Sequence, residues 1–172
     1  NEINSVYNGC IGLAVLSPGD KGNMTKWNLR PPILSPGLFV EMEVPQIVKK
    51  GDCHYLFFST WKKGNRFNTP GGLYCYMSDE GPLGFYNPVK HGGLVMNYDD
   101  MMDFYGYTMY GVKIIDTGEE RDEYPAVGWV DLERDKPGSM QKTNEIKRVS
   151  PPITIRINGN EVRWDEKYTP VR

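Results

Sequence analysis

Short stretches of alternating apolar and polar residues, rich in β-branched and aromatic side chains, recur along the whole chain and are broken repeatedly by Gly, Pro or Asn. Successive side chains of a strand point to opposite faces, so a period of two marks a half-buried strand. The pattern predicts strands at Ile11–Leu16, Phe39–Glu43, Gln46–Lys49, His54–Ser59, Leu73–Ser78, Leu94–Met96, Tyr107–Ile115, Ala126–Leu132, Ile153–Ile157 and Glu161–Trp164. No stretch keeps a helical period with capping residues at its ends, so helix is expected to be scarce. Roughly ten short strands separated by turn residues define an all-β chain of sandwich, barrel or propeller type.

The turns are legible as well. Lys50, Gly51 and Asp52 join two strands, Gly71–Gly72 and Gly92–Gly93 open others, and Asn158–Gly159–Asn160 is a hairpin signal because these residues accept positive φ. The charged run Glu119–Glu123 reads as a solvated hairpin tip, and the polar stretch Arg134–Lys147 as a long exposed loop. The short basic run Lys62–Arg66 reads as a solvated turn. No Pro- or Ser-rich linker divides the chain, so residues 1–172 are expected to form one domain.

Charge and composition narrow the partners. A net charge of −2 provides no basic field for nucleic acid or an anionic membrane, and no apolar run reaches spanning length. An uncharged saccharide fits better. Aromatics make up 12% of the residues; their flat faces suit sugar rings and equally suit the filling of sheet cores. The three cysteines, Cys10, Cys53 and Cys75, have no paired spacing and are expected to be free thiols. The first residues lack a signal-peptide layout, and the compartment stays open. His54 and His91 have no ligand neighbour at metal spacing; Asp99, Asp100 and Asp103 read as a plain acidic loop, with calcium as the rival reading. No metal site and no cofactor is expected. Ser59 and Ser78 lack the context of an activated nucleophile.

Chemistry concentrates at Glu41 and Glu43. Two residues apart in a strand, they share a face, and like charges so placed raise each other's proton affinity, as a proton-donating acid requires. A pair of exposed edge-strand glutamates is the alternative.

The segment Glu41-Met42-Glu43-Val44-Pro45, followed by Gly51 and Tyr55-Leu56-Phe57, resembles the acidic Glu-x-Glu-Arg-Pro stretch, turn and Tyr-Leu-Phe strand of levansucrases and related fructosyltransferases. These share a five-bladed propeller with invertases and arabinanases. Asn8–Ala14, Trp27 and Pro31–Leu34 upstream, and Gly71–Tyr74, Ser78–Pro88, Gly92–Met96, Tyr107–Tyr110 and Pro151–Ile157 downstream, are similar to further family segments in the same order. The resemblance implies a partial propeller made of the later blades. It implies Glu43 as general acid/base, Glu41 as its supporting neighbour and Tyr107 as a subsite residue, and Trp61 is taken as a further candidate for saccharide binding. Departures accompany it: Val44 and Trp61 stand where the family has arginines, and Val40 where many members have a calcium-ligating aspartate. The family's nucleophilic aspartate and its Arg-Asp-Pro motif belong to earlier blades, and this sequence contains no Arg-Asp-Pro. Glycoside cleavage needs two carboxylates, so the chain alone is expected to be inactive. It is read either as a glycosidase-like fragment whose early blades are supplied elsewhere, or as a non-catalytic carbohydrate-binding or assembly protein. In both readings an open ring leaves an apolar blade face exposed, with runs such as Tyr55–Phe58 and Tyr107–Ile115 on it, so a two-fold homo-oligomer or a complementary chain is expected to cover that face.

Overall fold

The structure is a computed structural model that describes residues 9–17, 26–61, 65–133, 141–142 and 148–165. Three antiparallel sheets follow one another along the chain. The first is a ribbon of β1 (Ile11–Leu16) and β2 (Trp27–Leu34). The second contains β3 (Glu43–Lys50), β4 (Cys53–Thr60) and β5 (Gly72–Ser78), with β6 (Asn87–Pro88) and β7 (Leu94–Asn97) both pairing with β5. The third is built on the long strand β9 (Glu123–Glu133). On one side β9 pairs with β8 (Tyr107–Ile114), on the other with β10 (Gln141–Lys142) and β11 (Ile153–Asn158), and β12 (Glu161–Trp164) completes the sheet. The strands are laid down as meanders, as in successive propeller blades.

The alternation within β4 and β5 explains the stacking of sheets. Tyr55, Phe57, Leu73 and Cys75 pack with Met109, Val112 and Ile114 of β8 and with Tyr124, Ile153 and Ile155 of the third sheet. The intervening residues Leu56, Phe58, Tyr74 and Tyr76 point the other way and join Ile11, Leu34, Phe39 and Met42. β4 and β5 are therefore buried on both faces, which is why they read as nearly continuous apolar runs; Tyr55–Phe58, expected to be covered by a partner, is covered by the chain's own sheets, as are Tyr107, Met109, Val112 and Ile114 of the second such run.

Two elements escape the alternation rule. β2 contains Pro31 and Pro32, which cannot donate to a ladder; they fall at the register break between Ile11 and Leu13, where pairing is interrupted. Asp99, Asp100 and Asp103, expected to lie in an acidic loop, lie instead in the helix α1 (Tyr98–Tyr105). Its signals are local: Asn97 caps it by accepting from the Asp100 N–H at 2.7 Å, Asp99 and Asp100 lie in the first turn, and Gly106 ends it at φ 74°. Burial of Met101 and Met102 holds this two-turn helix, since a helix this short has little stability of its own. The strand expected at Phe39–Glu43 is also corrected. Pairing begins only at Glu43, opposite Ser59. Of the two polar stretches read as exposed, residues 62–64, 134–140 and 143–147 lie outside the described residues.

Candidate active site

Phe39–Met42 is held by contacts from both sides. The Gly9 N–H donates to the Phe39 carbonyl at 3.0 Å, and a Cβ at position 9 would stand only 2.9 Å from that oxygen and 3.0 Å from the Glu41 nitrogen. Glycine there lets two backbones touch. The buried Asn65 side chain accepts from the Val40 N–H at 3.2 Å and donates to the Trp61 carbonyl at 2.6 Å, tying the acidic segment to the end of β4. Phe39 and Met42 are buried in the second core, which leaves Glu41 half-buried and Glu43 exposed.

A β-bulge follows immediately. Glu43 pairs with Ser59 and Gln46 with Phe57, so Val44 and Pro45 together oppose one residue of β4. Val44 takes φ 54°, a left-handed conformation that a β-branched residue rarely adopts. Such bulges re-aim side chains, and this one sits directly after Glu43.

β8 approaches from the third sheet. The Gln46 side chain donates to the Ile114 carbonyl at 2.7 Å and accepts from the Ile114 N–H at 2.9 Å, and the Lys113 ammonium donates to the Pro45 carbonyl at 3.0 Å. β8 carries its own register break between Tyr110 and Lys113, at Gly111 with φ 60°. Core positions accordingly switch from Tyr107 and Met109 to Val112 and Ile114. At the break, the Tyr110 hydroxyl donates to Glu43 Oε2. Its ring stacks on Trp61 with centroids 4.3 Å apart and planes at 11°, and Trp61 in turn meets Tyr98 of α1 at 5.5 Å.

The electrostatics follow from this packing. Burial, then the charge of Glu43, lifts the Glu41 carboxyl above its usual range, against the opposing hydrogen bond from the Trp61 backbone N–H. Burial also pushes the Tyr98 and Tyr110 phenols well above theirs; for Tyr110 the hydrogen bond to Glu43 comes next, and for both phenols the charges of Glu41, Glu43 and Asp131 add to the shift. The Tyr98 hydroxyl and the Ser59 Oγ, cross-strand from Glu43, are buried with no hydrogen-bond partner among the described residues.

Of the residues singled out from the sequence, Glu41, Glu43 and Trp61 thus lie together. Tyr107 is packed in the main core, stacked on Tyr105 at 5.5 Å with the Arg148 guanidinium over its ring. The tyrosine that reaches Glu43 is Tyr110. The sequence reading passed over Tyr110, Tyr98 and Asp131; the one available signal was Gly111 within a strand pattern, where alternation changes parity.

The Levansucrase/Invertase model of glycoside hydrolase family 68 matches residues 2–164 of this chain. The extracellular sucrase of Zymomonas mobilis is 36% identical over 92 residues, covering 50% of this chain and 21% of the sucrase. Among solved structures, the inulosucrase of Halalkalicoccus jeotgali bound to kestose superposes with a TM-score of 0.70 at 22% identity, over 92% of this chain and 40% of that one. A β-fructofuranosidase of Microbacterium saccharophilum gives a TM-score of 0.72 at 20% identity, over 96% of this chain and 32% of that one. The chain thus spans well under half the length of the proteins it matches, and its sheets are a partial propeller.

Proposed function

The chain belongs to the levansucrase/invertase family, and from that premise we propose that it binds a saccharide in front of Glu43 and, with early blades supplied, cleaves or transfers a glycosyl unit. Glu43 is the general acid/base, Glu41 its acidic neighbour, and the Trp61 ring a sugar-facing surface. The observation that carries this reading is the convergence of Glu43, Glu41, Trp61 and Tyr110 at one end of the middle sheet, with Glu43 exposed and hydrogen-bonded. A proton donor must reach the leaving oxygen, and of the two glutamates Glu43 is the more exposed. The inulosucrase whose fold it shares was solved with kestose, which fits a fructoside as the ligand class.

Retaining and inverting glycosidases alike need a second carboxylate across the bond. The purified chain is therefore expected to show no turnover of sucrose, levan or aryl glycosides by itself. When a polypeptide carrying the early blades is added, cleavage should appear, and Glu43→Gln should slow substrates with poor leaving groups far more than activated ones. Equal loss on both kinds would sink Glu43 as proton donor. Hydrolysis by the chain alone that survives repurification would mean that another acid completes the pair. The second reading is carbohydrate binding without turnover, favoured by Val44 and Trp61 at positions where the resemblance places arginines. In either reading we place a second copy or a complementary chain against the exposed β1–β2 ribbon.

A further inference from the structure

Glu43 starts a strand, is exposed, and carries three rotatable side-chain bonds, so without a partner its carboxylate would sample many orientations. We propose that Tyr110 is a positioning residue that holds the Glu43 carboxylate in one orientation across the seam between the second and third sheets, with Trp61 bracing its ring. The proposal rests on the reading of Glu43 as the proton donor.

The hydrogen bond from the Tyr110 hydroxyl to Glu43 Oε2 is charge-assisted, and such bonds are about twice as strong as neutral ones. The phenol is itself fixed from three directions. Its ring lies on Trp61, just beyond β4. Its backbone sits at the β8 bulge, where a Cβ at Gly111 would come within 3.4 Å of Val44 Cγ2, so the two bulges touch. Its strand is keyed to β3 by the paired hydrogen bonds between Gln46 and Ile114. Tyr110 thus connects β4, β8 and the first residue of β3 at the carboxylate. The charged and titratable groups acting on it are Glu43 and Glu41 from the entry to β3, Tyr98 from α1 and Asp131 from β9. Burial and these anions keep the phenol protonated, so it serves as a permanent donor.

The contact can be read without any saccharide. In the chain labelled with ¹³C at tyrosine Cζ, the Tyr110 resonance is the one missing from Tyr110→Phe. Glu43→Gln should shift that resonance at neutral pH, where the phenol stays protonated, because its hydroxyl loses a charged acceptor. In the reverse direction, Tyr110→Phe should shift the ¹³Cδ resonance of Glu43 while leaving Glu119 and Glu120, on the exposed β8–β9 turn, unmoved. An unchanged Tyr110 resonance in Glu43→Gln, or an unmoved Glu43 resonance in Tyr110→Phe, overturns the proposal. The second variant serves if the first does not fold. Failure of Glu43→Gln to affect glycoside cleavage would instead count against the donor reading, which the resonances do not test.

Discussion

Among the contacts across the seam between the second and third sheets, one side chain has a loss whose cost is calculable. Gln46 reproduces a β-ladder contact with Ile114, giving a hydrogen to its carbonyl at 2.7 Å and taking one from its N–H at 2.9 Å. Gln46→Ala leaves both backbone groups unpaired at a partly buried site. An unsatisfied buried group costs about 1–3 kcal/mol, and partial access of water lowers that, so the expected loss is roughly 2–3 kcal/mol. Gln46→Glu separates the two bonds. Its carboxylate can still accept from the Ile114 N–H but faces the Ile114 carbonyl with another acceptor, whereas its protonated form can donate. The folded-state pKa of the introduced carboxyl is thus raised above its unfolded value near 4.3. The sign follows: Gln46→Glu should approach the wild type at a pH below the unfolded value, and its deficit should open as the pH rises through the folded value. Urea unfolding at a series of pH values measures both variants, with the midpoint as readout and the slope as a check on cooperativity. A Gln46→Ala change within about 0.5 kcal/mol of the wild type, the range of an ordinary surface substitution, would refute the reasoning. So would a pH-independent deficit in Gln46→Glu.

Two further outcomes are expected. Because burial and Glu43 raise the Glu41 carboxyl, its ionisation opposes folding: stability is fullest below its unfolded pKa and falls as the pH rises through the folded one. Glu41→Gln should therefore resist urea better than the wild type at neutral pH and lose that advantage in acid; a variant that is weaker at neutral pH would contradict this. The β1–β2 ribbon is a two-stranded sheet that exposes Trp27 and Leu29, at 48% and 85%, so the purified chain should scatter light as more than a monomer at low micromolar concentration. A stable monomer would reject that assembly.

Much of the fold was legible because most strands are half-buried or doubly buried stretches bounded by Gly or Asn, and a period of two survives in linear sequence. Ile11–Leu16 and Glu161–Trp164 were read at the bounds the structure has. β2 was not, since Pro31 and Pro32 argue against a strand unless a register break absorbs them, and a register break is a property of two strands together. The helix at 98–105 had readable caps, but at two turns it depends on the core that receives Met101 and Met102. The acidic pair could be singled out by its spacing, and Trp61 only through the resemblance to the family. What the sequence could not determine was which tyrosine meets Glu43. Strict alternation puts Tyr107 and Met109 on one face and Tyr110 on the other, without saying which face meets β3. That was decided by the docking of the two sheets, where Gln46 grips Ile114 and two bulges turn Glu43 and Tyr110 toward each other, because side chains from strands far apart in sequence converge only after packing has set the register between their sheets.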